Sequence, residues 1–303
     1  MRFWTFGGLT FGELAKQIWD DFFRDDIMGQ SAKLAFYFLL ALFPLLIFFT
    51  ALLGLFAQSP GLREDLLAYL ENVAPPAAYE LIYNTLLQIT EGASARLLSF
   101  SILAALWAAS TGMLAVMDSL NRAYAVEDSR PWWKARLVAI GITLAYSVAV
   151  IVALVLVLYG ASIGNLLASV LGLEDEFTFV WNIGRWPVVL ALVILALDLL
   201  YRYAPDLDDS NFQYLTPGAV LALALWLLAS MGFRLYIAFF GEFNATYGSL
   251  GAVIILMLWF YLTGMAILMG AEVNSVIEKA AAEHGDREAR LPGEKYPGER
   301  RAA

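Results

Sequence analysis

The chain has 303 residues, of which 60% are hydrophobic and only 16% charged, and its mean hydropathy is +0.67. That is far to the apolar side of ordinary globular usage and argues against a soluble domain. A net charge of −9 and a pI near 4.7 argue against a dedicated nucleic-acid binder, which needs a basic surface to neutralise phosphates.

The first predicted element begins at Phe11. Thr10 and Glu13 have capping-box spacing, Leu9 and Leu14 are placed as a staple, and apolar residues recur at Phe11, Leu14, Ile18 and Phe22. Such a stripe suits a helix on the cytoplasmic membrane surface or one packed on a helical bundle. The first span follows at Leu34 to Ala57. Glu13, Asp20, Asp21, Asp25 and Asp26 precede it, so it is an anchor and not a cleaved signal. Pro44 stands near its middle, where it removes an amide hydrogen and displaces the Leu40 carbonyl. The expectation is a bend or opening there, with Pro44 as a gating residue beside a cavity; a static kink that shapes packing is the other reading.

Gln58 to Arg96 reads as an external helical hairpin broken at Pro75 and Pro76. Further spans are predicted at Leu97 to Met117, Leu137 to Gly160, Ile183 to Tyr203, Leu215 to Phe240 and Gly248 to Ala271. None alternates as a barrel strand would. The fold class is therefore all-α, a polytopic membrane protein with six transmembrane helices, organised as a cytoplasmic amphipathic segment (1–33), a six-helix domain (34–278) and a disordered cytoplasmic tail (279–303).

Between the second and third spans, Asn121 to Arg136 sets Arg122, Arg130, Lys134 and Arg136 among Tyr124, Trp132 and Trp133. This reads as an interfacial anchor, or as a contact for anionic lipid headgroups. Asp198 lies four residues before Arg202, an ordinary intrahelical pairing distance. Asp206, Asp208 and Asp209 follow Pro205 as acidic turn residues, with a divalent cation as the alternative. Arg234 is near enough to the outer end of its span to snorkel; a pathway role is the other option. Glu272 is expected at the C-terminal, negative end of the last helix, where one of the loop arginines would relieve it.

Fifteen lysines and arginines fall on one set of loops and three, Arg63, Arg96 and Arg185, on the other. Both termini are accordingly expected in the cytoplasm. The middle of all six spans carries no acid, base or histidine, so a buried proton relay has nothing to run on. The single histidine, His284, sits in the polar tail, and there is no cysteine. No cofactor, metal, catalytic residue or nucleic-acid partner is predicted; membrane lipids, anionic ones in particular, are the expected partners. Pro187 and the echo of ALWAASTG by ALWLLASMG hint at a three-plus-three inverted repeat.

YGSLGAV and GAEVN, with LAFYFLLALFPLL and LNRAYAVEDSRPWWKARL, resemble the YihY/BrkB family of bacterial inner-membrane proteins, and the likeness runs from Met28 to Glu278. It implies six helices and cytoplasmic termini. It also implies association with serum resistance and export of envelope lipids. The family's former label, ribonuclease BN, finds no support in these residues. The functional expectation is transport or flipping of an amphipathic envelope component such as an anionic lipid, the alternative being a non-transporting scaffold or assembly factor. Arg122, Arg130, Lys134, Arg136 and Glu272 are the candidate substrate-binding residues.

Overall fold

The structure, a computed structural model, describes residues 3–56, 64, 67–68, 79, 83–84, 95–171, 175–207, 215–240 and 249–297. After a short 3-10 segment (Phe3–Gly8) come α1 (Phe11–Arg24), α2 (Ile27–Phe56), α3 (Ala95–Ala123), α4 (Trp132–Leu171), α5 (Asp175–Tyr203), α6 (Pro217–Phe240) and α7 (Ser249–Glu283). Among the described residues there is no strand. The six helices α2 to α7 are each long and apolar enough to cross a membrane. The hairpin expected over 58–96 lies outside the described residues, apart from isolated helical positions and the start of α3.

Each spanning helix packs on its neighbour in sequence, and α7 closes on α2, so α2 to α7 form a ring; α7 also touches α3. Hydrocarbon gives helices little reason to associate, so close approach at small residues has to supply the packing. Gly112 of α3 and Gly264 of α7 do this for α2. A Cβ on the first would lie 3.0 Å from Ala41 and on the second 3.2 Å from Leu34. The α6–α7 crossing is closer still: a Cβ on Gly218 would overlap the Gly270 carbonyl, and one on Gly270 would overlap the Tyr201 hydroxyl.

The start of α6 is fixed by its own cap and by two neighbouring helices. Pro217 opens it, where a missing amide hydrogen costs nothing, and Thr216 caps it through Ala219 N at 3.2 Å. Asp198 of α5 accepts from Leu215 N (2.6 Å), Thr216 N (3.2 Å) and Thr216 Oγ1 (2.6 Å). Asn274 of α7 accepts from Gly218 N at 2.9 Å and donates to Thr216 Oγ1 at 3.1 Å. Asp198 is thus structural, as expected, and its hydrogen bonds run to the α5–α6 loop and helix cap.

At the N-terminus the capping box is present, with Glu13 Oε2 accepting from Thr10 N at 2.9 Å and Thr10 Oγ1 accepting from Glu13 N at 3.4 Å. Leu14 is buried against Val273, Val276 and Ile277 of α7. Of the two placements the stripe allowed, its inner face takes the bundle, while Phe11, Trp19 and Phe23 stay exposed.

Two expectations are corrected at the other end. α7 does not stop near Ala271 but continues to Glu283. The tail, expected to be disordered, is placed through residue 297. Arg290 donates to both carboxylate oxygens of Glu278 at 2.6 Å, and both side chains are buried. Glu294 is buried and accepts from Leu291 N at 2.9 Å. Two tail cations, Arg290 and Lys295, pair with Glu278 and Asp206 outside the tail, while Arg287 and Glu288 stay exposed.

Candidate functional site

Between the helices of the ring lie two adjoining, partly open cavities. One, about 300 Å³, is bordered by α2, α3, α4 and α7, with Leu200 of α5; the other, about 380 Å³, lies among α4, α5, α6 and α7. They share Tyr146, Val150, Trp259, Thr263 and Ile267. No ionisable side chain other than Tyr146 lines either. The hydroxyls that do line them are already engaged. Thr143 donates to Ala139 O (2.8 Å), Ser147 to Thr143 O (2.8 Å) and Thr263 to Trp259 O (2.9 Å), each four residues back along its own helix. Tyr146 donates across to Ala196 O at 2.7 Å. With these donors satisfied, the cavities offer an occupant hydrocarbon and aromatic surface, as Phe38 against Phe260 and Trp226 against Trp259 illustrate.

Pro44 itself lines neither cavity, but its neighbours do. Ala41, Leu42 and Leu45, on either side of it, line the smaller cavity. α2 remains one helix across Pro44 from Ile27 to Phe56.

The four basic loop residues do not converge on one point. Arg130 is buried and committed to the fold: it grips Asp128 (2.9 and 2.7 Å), donates to Ala204 O at 2.9 Å and lies 3.5 Å from Asp206. Arg136 turns toward α3, donating to Ser110 Oγ at 2.9 Å with its guanidinium 4.5 Å above the Trp107 ring. Arg122 and Lys134 are exposed, and neither head group has a partner among the described residues.

Asp206 is the hub that fixes the loop. Its carboxylate accepts from Ser129 N (2.9 Å), Ser129 Oγ (2.8 Å) and Lys295 Nζ (2.6 Å), while its own amide donates to Asn121 Oδ1 at 2.7 Å. Burial pushes this carboxyl up, but the hydrogen bonds from Lys295 and Ser129 outweigh it and hold it below the ordinary range. Asp128 is lowered in the same way: burial opposes, and Arg130 prevails. The turn reading of Asp206 was too modest, since it ties α3, two loops and the tail together. Asp208 and Asp209 lie outside the described residues. Among the described residues no group of acids, histidines or cysteines is spaced to hold a metal.

Glu272 is also corrected. The helix runs well past it, so it does not sit at a negative terminus. It is fully buried, neither carboxylate oxygen has a hydrogen-bond partner, and it pairs with none of the loop arginines. The charged groups acting on it stand at the end of α1: Asp25, its C-cap, with Asp21 and Arg24 of its last turn. Burial raises the Asp21 carboxyl against the pull of Arg24, which bridges Asp21 at 2.6 Å and Asp25 at 2.8 Å. Arg234 is exposed on α6 and lines neither cavity.

The feature that sequence reading missed is Tyr146. Nothing in a charge-free span marks one tyrosine among many apolar residues, yet its ring lines both inner cavities and reaches Ala196 across the α4–α5 seam.

Comparison with known proteins places the whole assembly in context. A family described as Virulence factor BrkB matches residues 18–292. The ribonuclease-like protein YfkH of Bacillus subtilis is 39% identical over 264 residues, covering 87% of this chain and 94% of that one. UPF0761 membrane proteins of Alteromonas mediterranea and Tolumonas auensis are 26% and 28% identical, covering 87% and 91% of this chain and 88% and 89% of theirs. No solved structure matches the chain.

Proposed function

This chain belongs to the BrkB family of membrane proteins, and we propose that it moves an amphipathic envelope component, an anionic lipid by preference, across the bacterial inner membrane with both termini in the cytoplasm. The observation that supports this reading is the pair of adjoining, partly open apolar cavities between the helices of the ring. Their lining matches acyl chains and offers nothing to a soluble ion, whose hydration shell would have to be replaced by polar groups. Arg122 and Lys134, exposed at the basic loop, supply charge for a headgroup. Arg130 and Arg136 hold that loop in place, and Glu272 lies outside the path. We assign no catalytic residue. The word ribonuclease belongs to a relative's name.

A scaffold role is the second reading, favoured by the continuity of α2 through Pro44 and by the ion-paired cytoplasmic end. Purified protein in phosphatidylethanolamine–phosphatidylglycerol vesicles separates the two. Transport requires transbilayer movement of a fluorescent phosphatidylglycerol above the protein-free rate, and a scaffold leaves that rate unchanged.

A further inference from the structure

The lipid-facing side of the molecule carries a groove between α4 and α5 of about 410 Å³. Its α4 wall is built from Val138, Gly141, Ala145 and Ala149, and its α5 wall includes Leu192 and Leu199, with Tyr203 at one end. Residues 138 to 149 of α4 and 192 to 203 of α5 each rise about 17 Å along their helices. That is close to half of a hydrocarbon layer roughly 30 Å thick, the depth of one leaflet. The groove exists because α4 turns small residues toward the seam. A Cβ on Gly141 would meet nothing within 4 Å.

The spacing 134, 138, 141, 145, 149 continues the groove wall one turn toward the basic loop, so Lys134 stands on the same face of α4 at the groove's mouth. It is exposed, and its ammonium has no partner among the described residues. On the other wall Arg202 lies 5.9 Å from the Tyr203 ring. Trp133, 52% exposed, flanks Lys134 at headgroup depth. We propose that this groove is a binding site for one anionic phospholipid of the cytoplasmic leaflet. An acyl chain lies along Gly141, Ala145 and Ala149, and the phosphate lies against Lys134, with Arg202 adding positive field.

The occupant follows from charge and length together. A zwitterionic lipid carries its own cation beside the phosphate and gains less from Lys134 than an anionic one, and a transmembrane helix of a second copy would need an apolar groove about twice as long. The site is distinct from the inner cavities and stands whether or not the protein moves lipid. Tyr146 lines all three spaces, and with Ala149, Leu192 and Ala196 it forms the wall shared by the groove and the larger cavity.

The test is native mass spectrometry on the full chain released from phosphatidylethanolamine–phosphatidylglycerol nanodiscs, with thermal unfolding as the folding control. The wild type should retain phosphatidylglycerol. Lys134→Glu should lower retention by at least about fivefold, from roughly 1 kcal/mol per basic residue at an anionic surface. Ala145→Trp, which fills the groove, should lower the number of retained phosphatidylglycerols by one, and Leu144→Trp, beside the groove and outside its lining, should leave it unchanged. Equal phosphatidylglycerol on all four proteins, or none on the wild type, overturns the site. So does a wild-type dimer dissolved by Ala145→Trp, which would give the groove to a second copy.

Discussion

Asp198, Thr216 and Asn274 show how few residues decide where α6 begins. Asp198 satisfies three donors in a buried setting, and in such places removing the acceptor costs more than the bond was worth, because the donors are left dry. Asp198→Ala should destabilise the folded protein by about 3 kcal/mol, read as a lower unfolding midpoint in detergent, and an unchanged midpoint would refute the cap. Gly270→Ala should be at least as damaging, since its new methyl meets the Tyr201 hydroxyl and Ala222. Asp206 gives a pH signature. Its folded carboxyl titrates below the ordinary 3.8, so its stabilisation is complete above the unfolded value and is lost as pH falls through the folded one. Hydrogen exchange in residues 291–295, corrected for intrinsic rate, should therefore stay constant from pH 8 to about 5 and rise only near pH 3. Asp206→Asn should raise it already at pH 7; protection unchanged in that variant would contradict the hub. Sequence could mark Asp198 and Asp206 as structural from their positions beside a helix end and a proline. It had no means of naming partners 77 or 89 residues away.

The spanning helices were legible because hydrocarbon demands long apolar runs, a strong signal that neighbours cannot disguise. Their ends were not. α7 goes on past Ala271 as Glu272, Asn274 and Glu278, polar residues that hydropathy assigns to water and the fold buries against α1, α6 and the tail. The tail was misread for a related reason: a segment with mixed charges and two prolines has the composition of disorder, and the Glu278–Arg290 pair that binds it is visible only in three dimensions. Glu278→Ala should free it, since breaking one side of a buried ion pair leaves the other unpaired. Trypsin cleavage after Arg287 or Arg290 should then accelerate severalfold; equal cleavage rates would show that the pair does not hold the tail. Pro44 belongs at this scale as well. α2 runs as one helix through Pro44, and its neighbours Ala41, Leu42 and Leu45 line the smaller cavity. Pro44→Ala should leave the unfolding midpoint within about 1 kcal/mol of the wild type and slow lipid movement, because it restores the Leu40 hydrogen bond and stiffens the wall of the smaller cavity.

For the whole molecule, the sequence indicated an all-helical membrane protein and its number of spans, but not that the spans form a ring or that two partly open cavities lie between its helices. Those depend on which faces meet, and a helix apolar all round does not declare a face. The four loop cations looked equivalent in sequence. Folding separates them into two that hold the loop, Arg130 and Arg136, and two left exposed, Arg122 and Lys134. The orientation rests on the basic-residue asymmetry and is testable in this cysteine-free chain: Ala77→Cys should label from outside intact cells, and labelling only after lysis would reverse the topology. The central claim is that the paired cavities carry lipid. Its most direct test is dithionite quenching of fluorescent phosphatidylglycerol in vesicles holding the wild type or Thr263→Phe, a substitution in the wall common to both cavities. The account predicts that the wild type exposes inner-leaflet probe well above protein-free vesicles and that Thr263→Phe falls most of the way back. Wild-type vesicles indistinguishable from empty ones, or a Thr263→Phe variant as fast as the wild type, would contradict it.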